Sequence, residues 1–249
     1  MNYGNLLYEG KCKRVYVNDA KTLLLEFKDE VSALDGVKID KAPGKGVLNA
    51  AVSSFFFKIL EAGNVRTHFI SYDGVRSLIV KRLNMIPLEV IVRNYAYGSL
   101  IKRLPLFKPL TKLQVPIVEF HFKSDKLHDP LVLPDDVVNA GILTNDEVHK
   151  IKELALKIND ILSTELAKRG LTLIDFKVEF GRDPEGGELI LADEISGDTI
   201  RVINEEGSHL DKEVYRRSGN VKELILAYML LACRLGIKDI KVGELDIYC

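Results

Sequence analysis

Asp175-Phe176-Lys177-Val178-Glu179-Phe180 is the stretch on which the fold turns. Acid, base and acid alternate in it with phenylalanine, valine and phenylalanine. A period of two is the mark of a strand with one buried face, and neighbours at i and i+2 then lie about 6.5–7 Å apart. Asp175, Lys177 and Glu179 therefore share one face, while Phe176, Val178 and Phe180 pack on the other. A Pro-Glu-Gly-Gly turn leads to Glu188–Ile195, the expected partner strand, which carries Asp193-Glu194. One of these two acids should join the charged face. The register is open, so the sequence does not say which. A lysine set between carboxylates suits a hard cation and a phosphate. The same ladder on a solvated face would only pair charges.

Outward from that ribbon the chain divides in two. Leu6–Lys28 reads as glycine-interrupted strands with a polar turn at Asn18-Asp19-Ala20-Lys21. Asp40–Gly46 reads as a loop. Val47–Ala62 has apolar residues at helical spacing and stops at Gly63, read as a C′ glycine. Thr67–Tyr72 and Val75–Leu83 flank Asp73-Gly74, a hairpin signal. Leu88–Val92 and Ile117–Phe122 are further strands. Thr144–Arg169 is the clearest helix, since Thr144 as N-cap with Glu147 three residues on makes a capping box. Asn220–Leu235 is an amphipathic helix ended by Gly236. Strands come first, and helices and strands mix afterwards. The expected class is α+β, with a small antiparallel N-terminal lobe over 1–83 and a larger mixed α/β lobe over 84–249 that ends in a helix.

The 249 residues carry 35 Lys+Arg against 36 Asp+Glu, a net charge of −1. So even a balance argues against a nucleic-acid partner, and any basic site must be local. No charged-then-apolar leader opens the chain. The aliphatic run Leu224–Cys233 reaches about half the length of a membrane span, so no membrane role and a cytoplasmic location are expected. Cys12, Cys233 and Cys249 are odd in number and far apart, which fits free thiols in a reducing compartment. The histidines form no zinc motif.

Four more segments carry chemistry. Gly10-Lys11-Cys12-Lys13 lets the backbone approach a phosphate with a lysine beside it, although a lysine-guarded hairpin edge has the same composition. Gly44-Lys45-Gly46 is not a P-loop, because Ile39 and Gly46 stand where that motif needs glycine and Ser/Thr. Arg93 to Leu100 follows a strand and opens a short helix, with Arg93, Gly98 and Ser99 forming an anion site. Lys123 to Pro130 is a dense charged loop in which His128 reads as an ordinary loop histidine. Ser196-Gly197-Asp198-Thr199-Ile200-Arg201 aims a second guanidinium at the same neighbourhood.

Taken in this order, the segments resemble the phosphoribosylaminoimidazole-succinocarboxamide synthase (SAICAR synthetase) family from about Leu7 to Gly236. The resemblance is carried by Tyr8-Glu9-Gly10-Lys11, Asp35-Gly36, Lys45-Gly46, Val92-Arg93-Asn94 with Gly98-Ser99-Leu100, Lys123-Ser124-Asp125 with His128-Asp129-Pro130, Asp175-Phe176-Lys177 with Glu179-Phe180-Gly181, and Ala192-Asp193-Glu194. It implies a fold related to ATP-grasp, with the nucleotide in the cleft between lobes. It also implies ATP- and Mg²⁺-dependent joining of L-aspartate to carboxyaminoimidazole ribonucleotide. By the same resemblance Gly10, Lys11, Lys13 and Lys123 would meet the ATP phosphates. Lys81-Arg82-Leu83-Asn84-Met85 would form the adenine side, with Lys81 and Met85 as its contacts. Glu179 and Asp193 would hold Mg²⁺. Arg93, Ser99 and Arg201 would grip the 5′-phosphate, and Asp129, Asp175 and Lys177 would surround the ribotide and its reacting carboxylate. Asp35, Gly36 and Lys45 are candidates for the aspartate site.

Two departures stand out. Cys12 replaces a frequent alanine, and Gly197 replaces a frequent proline, which is expected to loosen the loop that carries Arg201. A related small-molecule kinase is the alternative enzyme, and it would not need aspartate. A nucleotide-binding module without turnover is the other alternative, and it would not need the acid cluster. A homodimer is left open.

Overall fold

Glycine and polar turns cut the first third of the chain into short antiparallel strands. The computed structural model describes residues 4–33, 38–238, 240–242 and 245–246. β1 (Leu6–Glu9), β2 (Lys13–Val17) and β3 (Thr22–Phe27) are followed by a separate ribbon of β4 (Glu30–Ala33) and β5 (Lys38–Lys41). After α1 (Lys45–Ala62), the hairpin β6 (Phe69–Tyr72) and β7 (Ser77–Lys81) returns to the first sheet, whose order is β1-β2-β3-β7-β6. Gly74 in the hairpin turn has φ 82°, as an Asp-Gly turn requires.

The second sheet begins with β8 (Asn84–Tyr95). It continues through α2 (Ser99–Arg103), β9 (Lys112–Phe122), β10 (Leu131–Val132), α3 (Pro134–Asn139) and α4 (Asn145–Ala167) to β11 (Thr172–Arg182), β12 (Leu189–Ala192) and β13 (Ile200–Ile203). Its order is β10-β9-β8-β11-β12, with β13 sharing the β12 edge of β11. α5 (Glu213–Ser218), α6 (Val221–Arg234), β14 (Lys241–Val242) and β15 (Leu245–Asp246) complete the described chain.

The register of the second sheet sorts its side chains by face. Asp175 pairs with Arg93 on β8 and with Arg201 on β13, and Glu179 pairs with Glu89. Side chains directly opposite one another share a face. Arg93, Asp175, Arg201, Lys177, Glu179 and Glu89 thus stand on one side. Phe176, Val178, Phe180, Val90, Val92 and Phe120 join the core on the other. The expected split of the β11 alternation holds.

α1 is apolar nearly all round and packs against β3 and β6 on one side and α4 and α6 on the other, so it is a core helix between the first sheet and those helices. It starts at Lys45, so Lys45 and Gly46 belong to its first turn and not to the loop read from sequence. Asp40 lies in β5, again outside a loop. The left-handed residue at the helix end is Asn64 (φ 58°), whereas Gly63 has φ −85°. The capping box at Thr144 is present, with Glu147 N–H donating to Thr144 Oγ1 at 3.2 Å and Thr144 N–H to Glu147 Oε2 at 2.8 Å. Cys233 is disulfide-bonded and only Cys12 is a free thiol among the described residues, which corrects the reading of free thiols throughout. Asp35 and Gly36 lie outside the described residues.

Candidate active site

Glu179 ends the charged row of β11 where β12 pairs with it through Ala192. The chain then leaves the strand, because Asp193 has φ 64°, a left-handed conformation that a non-glycine residue rarely takes. Alternation stops there, which is why sequence could not choose between Asp193 and Glu194. Both acids reach Lys13, through Asp193 Oδ1 and through Glu194 Oε1 at 2.8 Å. Lys177 Nζ sits 2.9 Å from Glu89 Oε1, 3.0 Å from Glu179 Oε1 and 3.9 Å from Asp193 Oδ2. Lys123 Nζ donates to Glu179 Oε2 at 2.6 Å. Lys13 from the first sheet and Lys123 and Lys177 from the second are thereby gathered on a common set of carboxylates.

The electrostatics follow from that gathering. Burial favours the neutral form of Asp193, but Lys13, Lys177 and Lys123 hold its carboxyl well below the usual range. Burial likewise works against the Lys177 ammonium, and Glu179, Asp193 and Glu89 carry it well above an ordinary lysine. Asp193 and Lys177 are therefore both charged at neutral pH. Among the described residues no three His, Cys, Asp or Glu side chains form a ready metal cage. Mg²⁺ binds through one or two carboxylates and completes its shell with water and phosphate oxygens. The hard oxygens of Glu179 and Asp193, bridged by one ammonium, fit that donor set.

At the other end of the row Asp175 is shared. Its carboxylate accepts from Arg93 Nη1 at 3.0 Å and from Arg201 Nη1 at 2.9 Å. Arg93 is 2% exposed; it also donates to Ser99 Oγ at 2.7 Å, and its Nε lies 2.9 Å from Glu119 Oε2. Glu119 gathers Arg93, Arg103 and His121; burial opposes its charge, yet these partners lower its pKa to about 2. Arg201 lies over Tyr97, with the guanidinium carbon 5.3 Å from the ring centroid. Ser99 opens α2, but five residues make too short a helix to act as an anion site on its own.

The remaining expected residues are placed as follows. Lys11 Nζ pairs with Asp125 Oδ1 at 2.6 Å, joining the β1–β2 loop to the loop after β9. Gly10 N–H donates to Lys13 O at 2.8 Å and so closes that first loop. Lys81 and Met85 are exposed on the connection between the sheets. The Asp129 carboxylate accepts from Ser124 N–H at 2.7 Å within its own loop, while Asp175 pairs with guanidiniums and Lys177, its neighbour in the row, with Glu89 and Glu179. Lys45 is 1% exposed and bonded to Asp198, which also accepts from Asn49 and Tyr228 at 2.9 Å each. Its ammonium is committed to the fold.

Gly197 does not loosen its loop. A β-carbon there would meet the Tyr228 ring at 2.6 Å, so the small residue lets Tyr228 close over it. Sequence reasoning missed Glu89, Glu119, Tyr97 and Glu213. Glu89 alternates visibly within Leu88–Val92, but only the register shows that it faces Lys177.

Comparison with known proteins shows the family. The family profile described as SAICAR synthetase matches residues 6–228. A phosphoribosylaminoimidazole-succinocarboxamide synthase of Caldivirga maquilingensis is 56% identical over 94% of this chain and 96% of its own. A solved SAICAR synthetase in complex with ADP superposes with a TM-score of 0.89 at 45% identity, covering 94% of this chain and 99% of that one. The crystal structure of the synthase from Ehrlichia chaffeensis superposes with a TM-score of 0.90 at 39% identity, over 94% and 100% of the two chains. A profile that spans both sheets, and relatives this similar along their whole length, leave one conclusion: the chain belongs to the SAICAR synthetase family.

Proposed function

We propose that the described sheet face carries out the family reaction, in which ATP drives the ligation of L-aspartate to carboxyaminoimidazole ribonucleotide. The products are SAICAR, ADP and phosphate, and the step belongs to purine biosynthesis. One observation carries the reading. The face has two oppositely built ends, ammonium with carboxylate around Glu179 and guanidinium with carboxylate around Asp175, four residues apart on one strand. At strand rise that is about 13 Å. A ribotide with a phosphate at one end and a carboxylate at the other spans such a face. A kinase acting on a hydroxyl would have no use for the second end.

A carboxylate is a poor acyl donor. ATP converts its departing oxygen into phosphate, and the amine of aspartate takes its place. That chemistry brings the substrate carboxylate and the γ-phosphate together. Lys13, Lys123 and Lys177 are the cations that offset their repulsion, exchanging protein carboxylates for phosphate oxygens. Lys11 does the same from Asp125. Glu179 and Asp193 would hold Mg²⁺, which when bound offsets phosphate charge. Arg201 and Ser99 face the 5′-phosphate, with Arg93 and Asp175 fixing them. Residues 1–83 supply the nucleotide side, with Lys81 and Met85 toward the base, and residues 84–249 supply the metal and ribotide side. Asp129 shapes the loop that carries Lys123.

Among the described residues no helix is long and apolar enough to cross a membrane. Mass spectrometry of the product formed from ribotide, ATP, Mg²⁺ and L-aspartate tests the reading. The mass of SAICAR is expected, with phosphate release that depends on aspartate. Equal ADP formation without aspartate would replace it with the kinase reading.

A further inference from the structure

Arg217 stands on α5 beside the guanidinium end of the face. It donates to the Tyr97 hydroxyl and lies 3.3 Å from His209 Nε2. His209 Nδ1 meets Asp211 Oδ2 at 2.8 Å, so the Nδ1–H tautomer leaves Nε2 to accept from Arg217. Asp211 is itself anchored, accepting the N–H groups of Val202 and Glu213 at 2.9 and 2.7 Å. Arg217 and Arg201 flank one ring, their guanidinium carbons 5.9 and 5.3 Å from the Tyr97 centroid. The second guanidinium is thus fixed beside the first by Tyr97 and His209.

Its charge is only partly met. Asp175 serves Arg93 and Arg201. Glu213 is divided among Arg201 Nε at 3.5 Å, Arg216 Nη1 at 3.4 Å and Arg217 Nε at 3.6 Å, and it also accepts from the Tyr97 hydroxyl. None of these three contacts is close. Arg201 Nε is buried without a hydrogen-bond partner. Access differs as well: the Arg93 side chain is 2% exposed and that of Arg201 19%, whereas that of Arg217 is 57% exposed. Arg93 would have to abandon Asp175 and Glu119 to bind an outside anion. Arg217 would give up only its 3.6 Å contact with Glu213. Holding a flexible arginine in place beforehand also removes much of the ordering cost of binding.

We propose that Arg217, held by Tyr97 and His209, binds the 5′-phosphate of the ribotide together with Arg201. The inference rests on the reading of the Arg93–Arg201 end as the phosphate end. It adds the residue that bears the solvent-facing part of the contact.

The experiment compares wild type, Arg217→Gln and Arg217→Lys with the ribotide and with the ribonucleoside that lacks the 5′-phosphate. Inorganic phosphate serves as a competitor. A charge-assisted contact predicts a ribotide KM raised about ten- to a hundredfold in Arg217→Gln, with partial recovery in Arg217→Lys. KM for ATP should stay where it is, and turnover of the ribonucleoside should not respond to the substitution. Inorganic phosphate should compete with the ribotide less well in Arg217→Gln than in wild type. An unchanged ribotide KM in Arg217→Gln would overturn the inference alone. So would equal losses with ribotide and ribonucleoside. A wild-type protein indifferent to the presence of the phosphate would overturn the phosphate-end reading along with it.

Discussion

The guanidinium of Arg201 rests on Gly98: a β-carbon at Gly98 would lie 3.0 Å from Arg201 Nη1 and 3.2 Å from Nη2. Gly98 also has φ 59° with ψ −127°, a conformation in which an alanine is strained by about 2 kcal/mol. Gly98→Ala should therefore push Arg201 off its position. The expected result is a ribotide KM raised about tenfold or more, the loss of roughly one charge-assisted contact. The strain should lower the melting temperature by about 2–8 °C. Steady-state kinetics with a thermal melt check both, and an unmoved ribotide KM would separate Arg201 from phosphate binding.

Arg93→Ala should act on folding before it acts on binding. It strips Asp175 and Glu119 of a fully buried cation, and leaving one partner of a buried pair uncompensated costs about 3–5 kcal/mol. Denaturant unfolding of the variant should show a loss of that size, with weakened ribotide binding in whatever remains folded. Near-normal stability would mean that the two carboxylates find other cations.

Glu179→Gln and Asp193→Asn should each lower turnover by about a hundredfold or more, since each removes a charge facing the phosphates in the transition state. Asparagine tolerates the left-handed backbone at 193, so any loss of stability in Asp193→Asn should come from the unpaired Lys13 and Lys177 and not from backbone strain. Turnover measured at saturating Mg²⁺ with a melting curve decides the matter. Full activity in either variant would move the metal elsewhere.

Acid should destabilise the protein in a defined window. Glu147, held down by its hydrogen bond from Arg182, and Glu119, held down by His121, Arg103 and Arg93 against its burial, both have pKa values lowered from 4.5 to about 2. A depressed folded-state pKa means that the unfolded chain takes up protons first. The stabilisation is complete above pH ~4.5 and disappears as pH falls toward ~2. Urea midpoints between pH 7 and 2.5 should fall through that range. In Glu147→Gln, which keeps the shape of the carboxyl, the fall should be shallower.

What could be read from sequence was what depends on local order. Thr144 and Glu147 mark a helix start because a capping box needs only four residues. Asp175, Lys177 and Glu179 mark a charged face because strand geometry repeats every second residue. The misreadings arise where a distant residue decides. Lys45 looks like part of a glycine loop until Asp198 buries it. Gly197 looks like slack until the Tyr228 ring is laid on it. Asp193 and Glu194 defeat alternation because the backbone turns left-handed between them and the strand. Arg217 shows no motif at all, and only the positions of Tyr97 and His209 make it more than a surface arginine.

The burial of α1 has a consequence for the order in which the protein is made. This helix is complete by Ala62, yet one of the surfaces it packs against is α6, which begins at Val221. At ordinary synthesis speeds the apolar surface waits for its cover roughly 10 to 30 s. Through that interval the nascent chain is a client for holding factors, however stable the finished enzyme proves. Ribosome-stalled chains ending just before Val221 should be cut readily by protease within α1, and chains carrying the full α6 beyond the exit tunnel should resist.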